Sequence, residues 1–168
     1  MSSTQTIVVG TRGSVLARWQ AGEVGRLLRA AHPGLEVREQ IIVTAGDRAQ
    51  SGPATLVEGK GAWVEEIEAA LVAREIDVAV HSLKDVPAEL RAGLAIVAVP
   101  PRADPRDAIV SRSGAGLDAL PPGSRVGTSS LRRVCQLRAA RADLQIEILR
   151  GNVDTRLRKI AEGQVDAG

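Results

Sequence analysis

A strand–turn–helix pattern that occurs twice constrains the fold of this 168-residue chain more than any other feature. The first copy is Val9-Gly10-Thr11-Arg12-Gly13-Ser14, which ends an apolar, β-branched run and opens a segment of helical periodicity. The second copy is Val126-Gly127-Thr128-Ser129-Ser130, again followed by a helical pattern. A further matching pair, residues 74–79 and 162–167, lies at a similar place in each copy. Each copy predicts the order β-α-β-α-β, so we expect an α/β protein with two similar lobes and a cleft between them.

The proline-rich stretch 100–105 predicts the boundary between a first lobe, 1–99, and a second lobe, 100–168. Residues 44–60 have no clear period, and such a stretch predicts a long loop that is either a functional lid or a disordered segment. The second copy stops at Gly168 just as its last strand begins, which suggests a fragment of a longer polypeptide. We expect helices over 14–31, 62–73, 129–140 and 152–161, and strands over 6–11, 35–43, 77–80, 94–99, 108–111, 125–128 and 144–149.

The composition narrows the class of protein. Trp19 and Trp63 are the only aromatic side chains, so the core must be aliphatic, and modules that stack nucleic-acid bases on aromatic rings are disfavoured. A single cysteine, Cys135, excludes an internal disulfide and a multi-cysteine metal site, and its place on an apolar stripe of a helix predicts a buried side chain. No signal peptide or membrane-spanning run is apparent. We therefore expect a cytoplasmic protein with no metal, membrane or nucleic-acid partner.

The stretch Asp77–Pro87 carries four chemically active side chains close together. It begins as a buried strand and continues into His81, Ser82, Lys84 and Asp85 before Pro87 ends it. In α/β sheets the carboxyl end of a strand is where ligands bind. An ionised Asp85 could stabilise a cationic intermediate or move a proton, whereas His81 is more often structural at such a place. The alternative is a surface turn with incidental polar residues.

Three helix starts combine small or hydroxyl residues with arginine: Thr11-Arg12-Gly13-Ser14, 127–133 and 150–156. Free N–H groups at a helix start favour anions, and arginine adds charge-assisted hydrogen bonds. Plain helix capping is the alternative, but three such starts indicate a ligand with several carboxylates or phosphates. The net charge of +2 is uneven, because residues 125–168 carry an excess of basic side chains. Gly59-Lys60-Gly61 lacks the spacing of a nucleotide-binding P-loop and is interpreted as a hinge.

Six runs, taken in order, closely resemble the porphobilinogen deaminase (hydroxymethylbilane synthase) family, and the resemblance covers almost all of Ile7 to Asp166. They are Gly10–Ser14, Gly59–Gly61, His81–Pro87, Asp104–Ala108, Gly127–Arg133 and Leu149–Leu157. The resemblance implies two periplasmic-binding-protein-like (type II) lobes, the second incomplete here, and a third domain that this chain lacks. It also implies a transferase of tetrapyrrole (heme and chlorophyll) biosynthesis, which joins four porphobilinogen molecules into hydroxymethylbilane and releases ammonia each time. Growth starts on a dipyrromethane cofactor that a cysteine of the third domain holds.

The resemblance also implies roles for individual residues. Asp85 corresponds to the catalytic carboxylate, which holds pyrrole N–H groups and stabilises the azafulvene cation left when ammonia departs. The implied substrate-binding residues are Arg12, Ser14, Arg150, Gly151, Asn152 and Arg156. The implied cofactor-binding residues are Lys60, Ser82, Lys84, Thr128, Ser129, Ser130, Arg132 and Arg133. Porphobilinogen and the growing oligopyrrole are the expected partners, and we expect a monomer.

Two departures from the family pattern stand out. Ala62-Trp63 follows Gly61 where family members carry Phe, and we expect the Trp63 ring to remain able to stack on a pyrrole. Cys135 lies in the wrong motif to hold the cofactor, so we expect this chain to be an inactive fragment without a covalent cofactor. A second hypothesis is a non-catalytic module of periplasmic-binding-protein type that binds anions or pyrroles; an Asp85→Ala variant that keeps its ligand affinity would favour it.

Overall fold

The structure is a computed structural model that describes residues 5–50 and 62–168, with only the backbone of Ala49 and Gln50. The chain divides into two compact units, Met1–Pro101 and Arg102–Gly168. Each unit combines helices with a parallel sheet, so the predicted α/β class is confirmed. In the described part of the chain, no helix is long and apolar enough to cross a membrane.

Unit 1 contains a three-stranded parallel sheet in the order β2-β1-β3. Its strands are β1 (Thr6–Thr11), β2 (Glu36–Ile41) and β3 (Val78–Ala79), and its helices are α1 (Val15–Ala31), α2 (Ala45–Gln50) and α3 (Glu65–Val72). The register pairs Thr6 with Glu36 and Val9 with Val78. Because the three strands are parallel, their carboxyl ends meet at one edge, and the segments after Thr11, Ile41 and Ala79 leave the sheet there.

Unit 2 contains a two-stranded parallel sheet made of β4 (Arg125–Gly127) and β5 (Gln145–Glu147). Two helices follow the strands, α4 (Leu131–Ala140) and α5 (Val153–Ala161). Ala167 forms an isolated parallel bridge with Val126 of β4, the strand that also pairs with β5. Ala167 therefore stands in unit 2 where β3 stands in unit 1.

The repeat predicted from the sequence extends to equivalent hydrogen bonds. In unit 1 the Asp77 carboxylate accepts the backbone N–H of Val8 over 2.8 Å, and Asp77 N–H donates to the Val8 carbonyl. In unit 2 the Asp166 carboxylate accepts the backbone N–H of Arg125 over 2.8 Å, and Asp166 N–H donates to the Arg125 carbonyl. The same aspartate therefore fixes the same strand position in both units.

The core is aliphatic, as the composition predicts. In unit 1, Ile67, Ala70 and Ile76 form one buried cluster. Unit 2 has two clusters, built from Leu120, Val126, Leu144 and Ala167, and from Leu149, Ile160 and Val165. Glycines in the central strands permit close approach, because a Cβ atom on Gly10 would lie 2.3 Å from Ile76 Cδ1.

Several predicted element bounds are wrong. Residues 45–50 of the predicted loop form α2, and Thr44, just before this helix, exchanges hydrogen bonds with Asp47 in its first turn. The helix predicted from residue 62 begins at Glu65. Strands predicted over 94–99 and 108–111 are absent, apart from a bridge at Ser111. Val97 is 81% exposed, and in the described residues no strand lies beside it to accept its backbone hydrogen bonds. β3 spans only two half-buried residues, and among the described residues it pairs with β1 alone, whereas a buried strand was expected.

Candidate functional site

In unit 1, polar side chains gather at the carboxyl edge of the β2-β1-β3 sheet. Arg12 directly follows β1, Asp47 lies shortly after β2, and His81 to Asp85 follow β3. The last three of these residues, Leu83–Asp85, form a 3-10 turn after Ser82. The sheet topology therefore brings the predicted arginine and the predicted catalytic carboxylate to one edge.

Arg12 is held by a carboxylate that sequence reasoning missed. Its Nε donates to both carboxylate oxygens of Asp47, at 3.1 and 3.3 Å, and its Nη2 donates to Asp47 Oδ1 at 2.5 Å. Fully buried Thr44 donates to Asp47 Oδ2 through its hydroxyl and its backbone N–H. Burial alone raises the pKa of Asp47, but the hydrogen bonds from Arg12 and Thr44 outweigh it and hold that pKa below its ordinary value.

The indole of Trp63 stacks on Arg12. The guanidinium carbon lies 4.1 Å from the ring centroid, which is cation–π geometry. The backbone of Gly46 packs against the same ring, because a Cβ atom there would lie 2.3 Å from Trp63 Cε3. The expectation that the Trp63 ring stacks on a pyrrole stays untested, and in this structure the ring contacts Arg12 and Gly46.

His81, Ser82 and Asp85 have different surroundings. Gln20 of α1 donates through Nε2 to Ser82 Oγ over 3.1 Å, and the Ser82 hydroxyl donates back to Gln20 Oε1 over 3.3 Å. Burial lowers the pKa of His81, the charge of Asp85 opposes this, and the charge of Arg12 adds to it. Half-buried Asp85 therefore lies close enough to act on His81, while within the described residues its carboxylate accepts no hydrogen bond. Lys84 is exposed.

In unit 2, the segment after β4 presents hydroxyl groups at the start of α4. Thr128 is buried, and its Oγ1 accepts the backbone N–H of Ser130 over 3.2 Å. Ser130 and Asn152 are the N-cap residues of α4 and α5, yet neither side chain bonds its own helix in the described structure. By contrast, Ser14 caps α1 by accepting the Ala17 N–H over 3.3 Å. Plain capping thus accounts for the Ser14 hydroxyl but not for the Ser130 and Asn152 side chains.

Arg132 and Arg133 converge on one carboxylate. Arg132 approaches Asp107 Oδ2 to 2.6 Å through Nη1 and Oδ1 to 3.1 Å through Nη2. Arg133 donates to Asp107 Oδ1 through Nε and Nη2, at 3.2 and 2.8 Å. The hydrogen bonds from Arg132, and next those from Arg133, hold the pKa of Asp107 far below its ordinary value. The pair therefore binds a carboxylate in this structure, although that carboxylate is internal.

Arg156 lies near enough to Arg133 for the two charges to interact. Its Nε donates to the Gly151 carbonyl over 2.8 Å, and no described residue accepts from Nη1 or Nη2. Burial lowers the pKa of Arg156, and the charge of Arg133 lowers it further, so the two guanidinium groups are neighbours. Gly151 has a φ of +117°, which favours glycine, and a Cβ atom there would lie 2.7 Å from Thr155. Arg150 is exposed, and its carbonyl accepts from Lys159.

The structure thus assembles most of the predicted site residues into two groups, one in each unit. Lys60, with the Gly59–Gly61 hinge, lies outside the described residues. Cys135 is exposed, which contradicts the predicted buried side chain, because α4 turns that face away from the core. Within residues 5–50 and 62–168, no cluster of three or more His, Cys, Asp or Glu could hold a metal ion. Asp47, Gln20 and Asp107 were missed, although Asp107 lies in one of the family-like runs.

Parallel sheets whose strands lead into helices define an α/β protein, with arginines and hydroxyl groups at the carboxyl ends of the strands. The family follows from comparison with known proteins. Residues 7–168 match the family model described as "Porphobilinogen deaminase, dipyromethane cofactor binding domain". The chain belongs to the porphobilinogen deaminase family, as the motifs indicate, and dipyrromethane is confirmed as the cofactor of that family.

Curated relatives are similar along almost the whole chain. Porphobilinogen deaminase of Syntrophobacter fumaroxidans is 55% identical over 163 residues, which cover 97% of this chain and 53% of the relative. Porphobilinogen deaminase of Roseiflexus sp. (strain RS-1) is also 55% identical, with 97% and 54% covered. That of Sorangium cellulosum is 53% identical, with 96% and 54% covered. The chain spans about half the length of the curated relatives it matches.

Proposed function

We propose that this chain is the part of a porphobilinogen deaminase (hydroxymethylbilane synthase) that binds the dipyrromethane cofactor and porphobilinogen in tetrapyrrole biosynthesis. The observation that carries the proposal is the match of residues 7–168 to a family model whose description names that cofactor. We propose further that the two units are periplasmic-binding-protein-like (type II) lobes with the ligand in the cleft between them. The repeated strand–helix order and the equivalent Asp77 and Asp166 bonds support two related lobes.

The residues of unit 2 fit a cofactor that carries acetate and propionate groups. Arg132 and Arg133 already hold the carboxylate of Asp107 through both of their guanidinium groups, so the donor set suits a carboxylate. The same pair, with Thr128, Ser129 and Ser130, would hold the side-chain carboxylates of dipyrromethane. Ser82, Lys84 and Lys60 would complete its binding. The bound cofactor would supply the free pyrrole position from which the chain grows.

Porphobilinogen also carries carboxylates, and the remaining arginines would bind them. Arg156 keeps both Nη groups without a partner in the described structure, so it can donate two hydrogen bonds to a carboxylate without breaking an existing one. Arg12 keeps Nη1 without an acceptor among the described residues. Ser14, Arg150, Gly151 and Asn152 would add contacts at the helix starts, where N–H groups favour anions.

Asp85 would carry the chemical step. Its carboxylate would accept the pyrrole N–H, and its negative charge would stabilise the positive charge that develops on porphobilinogen as ammonia leaves. His81 supports this role, because burial lowers the pKa of its imidazole and favours the neutral form at neutral pH. A neutral His81 adds no positive charge beside the developing cation, which a charged imidazole would oppose.

Calorimetric titration of the chain with porphobilinogen tests the proposal. We expect binding, and we expect Arg156→Ala to weaken it roughly tenfold or more, since a charge-assisted bond is worth about 1.5–3 kcal/mol. Arg138→Ala is the matched control, because Arg138 is exposed in the same unit and forms no ion pair in the described structure. Absence of binding, or equal affinities for Arg156→Ala and the native chain, would contradict the proposed function.

A further inference from the structure

We propose that Trp63 is a positioning residue that acts through Arg12: its ring fixes the plane of the guanidinium, and it does not serve as a stacking surface for a pyrrole. The effect of Trp63 on the affinity for porphobilinogen rests on the proposed function, whereas the pairing of Trp63 with Arg12 does not.

Two side chains enclose that of Arg12, which is 14% exposed. Asp47 binds Nε and Nη2, and the Trp63 ring covers one face at 4.1 Å. Thr44 in turn anchors Asp47 through two hydrogen bonds. Gly46 packs against the same indole, and a Cβ atom at this position would lie 2.3 Å from Trp63 Cε3, which leaves no room for a larger residue. The indole is therefore packed between the Gly46 backbone and the Arg12 guanidinium.

This enclosure determines which part of Arg12 meets a ligand. Since Asp47 takes Nε and Nη2, Nη1 is the group that donates to none of the described residues. A guanidinium held in one plane loses less side-chain entropy when it binds a carboxylate than a free one does. Trp63 thus contributes to affinity by preorganising Arg12, and the contribution should vanish when Arg12 is absent.

The pairing can be tested without any ligand. In a Trp19→Phe background, Trp63 is the only indole, and its accessibility to acrylamide is read from fluorescence quenching. We expect Arg12→Gln to increase the quenching constant about twofold, because the guanidinium covers one face of the ring. Gly46→Ala should do the same by displacing the ring, whereas Gly22→Ala, a helical glycine with open space around its Cβ position, should not. Unchanged quenching in folded Arg12→Gln and Gly46→Ala proteins would overturn the pairing.

A double-mutant cycle on porphobilinogen affinity tests the consequence. We expect Trp63→Leu to weaken binding roughly 3- to 10-fold, the scale of a cation–π contact, and Trp63→Phe to restore most of it. In an Arg12→Gln background, Trp63→Leu should have no further effect. An equal loss in both backgrounds would show that the ring contacts the ligand directly and would overturn the proposal. If the native chain binds no porphobilinogen, the proposed function fails, and the quenching experiment still decides the pairing.

Discussion

At the scale of single residues, three of the arginines predicted to bind ligands are already paired with internal carboxylates. Arg12 binds Asp47, and Arg132 and Arg133 share Asp107. Such pairing keeps the guanidinium groups oriented and partly neutralised in the absence of a ligand. A ligand carboxylate must then use the remaining donors or exchange with the internal carboxylate, and both routes favour ligands that bring more than one carboxylate.

Asp47 should make the stability of unit 1 depend on pH. Its folded-state pKa is lowered, so its contribution is present above the ordinary value of 3.8 and is lost as the pH falls through the folded pKa. We expect Asp47→Asn to reduce the free energy of unfolding by about 1.5–3 kcal/mol near neutral pH, and by less as the pH falls below the ordinary value. Urea unfolding across this range provides the measurement.

Asp104→Asn is the control for that experiment, because Asp104 also has a lowered pKa from a neighbouring arginine but is well exposed. We expect its effect on unfolding to be small at every pH. A difference between Asp47→Asn and the native chain that stays constant down to strongly acidic pH would refute the assignment.

Asp85 should matter for affinity as well as chemistry. We expect Asp85→Ala to weaken porphobilinogen binding roughly 10- to 100-fold, because a charge-assisted hydrogen bond to the pyrrole N–H is lost. Calorimetry measures this, with Glu89→Gln as an exposed carboxylate control from the following segment. An Asp85→Ala protein with native affinity would favour the second hypothesis, a non-catalytic binding module.

At the scale of elements, local patterns predicted the strand–turn–helix units correctly. Val9-Gly10-Thr11 and Val126-Gly127-Thr128 lie where strands give way to helix starts, and α1 begins directly after Ser14, which caps it. These features depend on neighbours in sequence. The strand predicted over 94–99 fails because a strand also needs a partner from elsewhere in the chain, which the local pattern of Ile96 and Val97 cannot reveal.

The tight contact between β4 and the residues after β5 gives a prediction for one glycine. A Cβ atom on Gly127 would lie 2.7 Å from Leu149 Cβ, and Leu149 is buried. We expect Gly127→Ala to lower the free energy of unfolding by about 1–3 kcal/mol, because a well-packed core must shift to admit the methyl group. Thermal unfolding measures the loss.

Gly116→Ala provides the comparison, since Gly116 is exposed and has open space around its Cβ position. We expect a change close to zero for this variant. Similar destabilisation by both substitutions would mean that the packing against Leu149 is not what makes Gly127 necessary.

At the scale of the whole molecule, the sequence predicted the α/β class and the family but only part of the chemistry around the arginines. Arg12, Arg132 and Arg133 were recognisable because arginines beside hydroxyl groups at helix starts form a local pattern. Their partners Asp47 and Asp107 lie 35 and about 25 residues away, and only the fold brings them together. Gln20 was missed for the same reason, since its contact with Ser82 joins α1 to the segment after β3.

The central claim is that porphobilinogen binds at the carboxyl ends of the strands in both units. Hydrogen–deuterium exchange with and without porphobilinogen tests it most directly. We predict slower exchange in the segments 12–14, 82–85 and 150–156. Gly123 and Ser124 lie at the opposite, amino end of β4, beside Asp166, and should not change. Protection confined to Gly123 and Ser124, or no protection in any of the three predicted segments, would contradict the account.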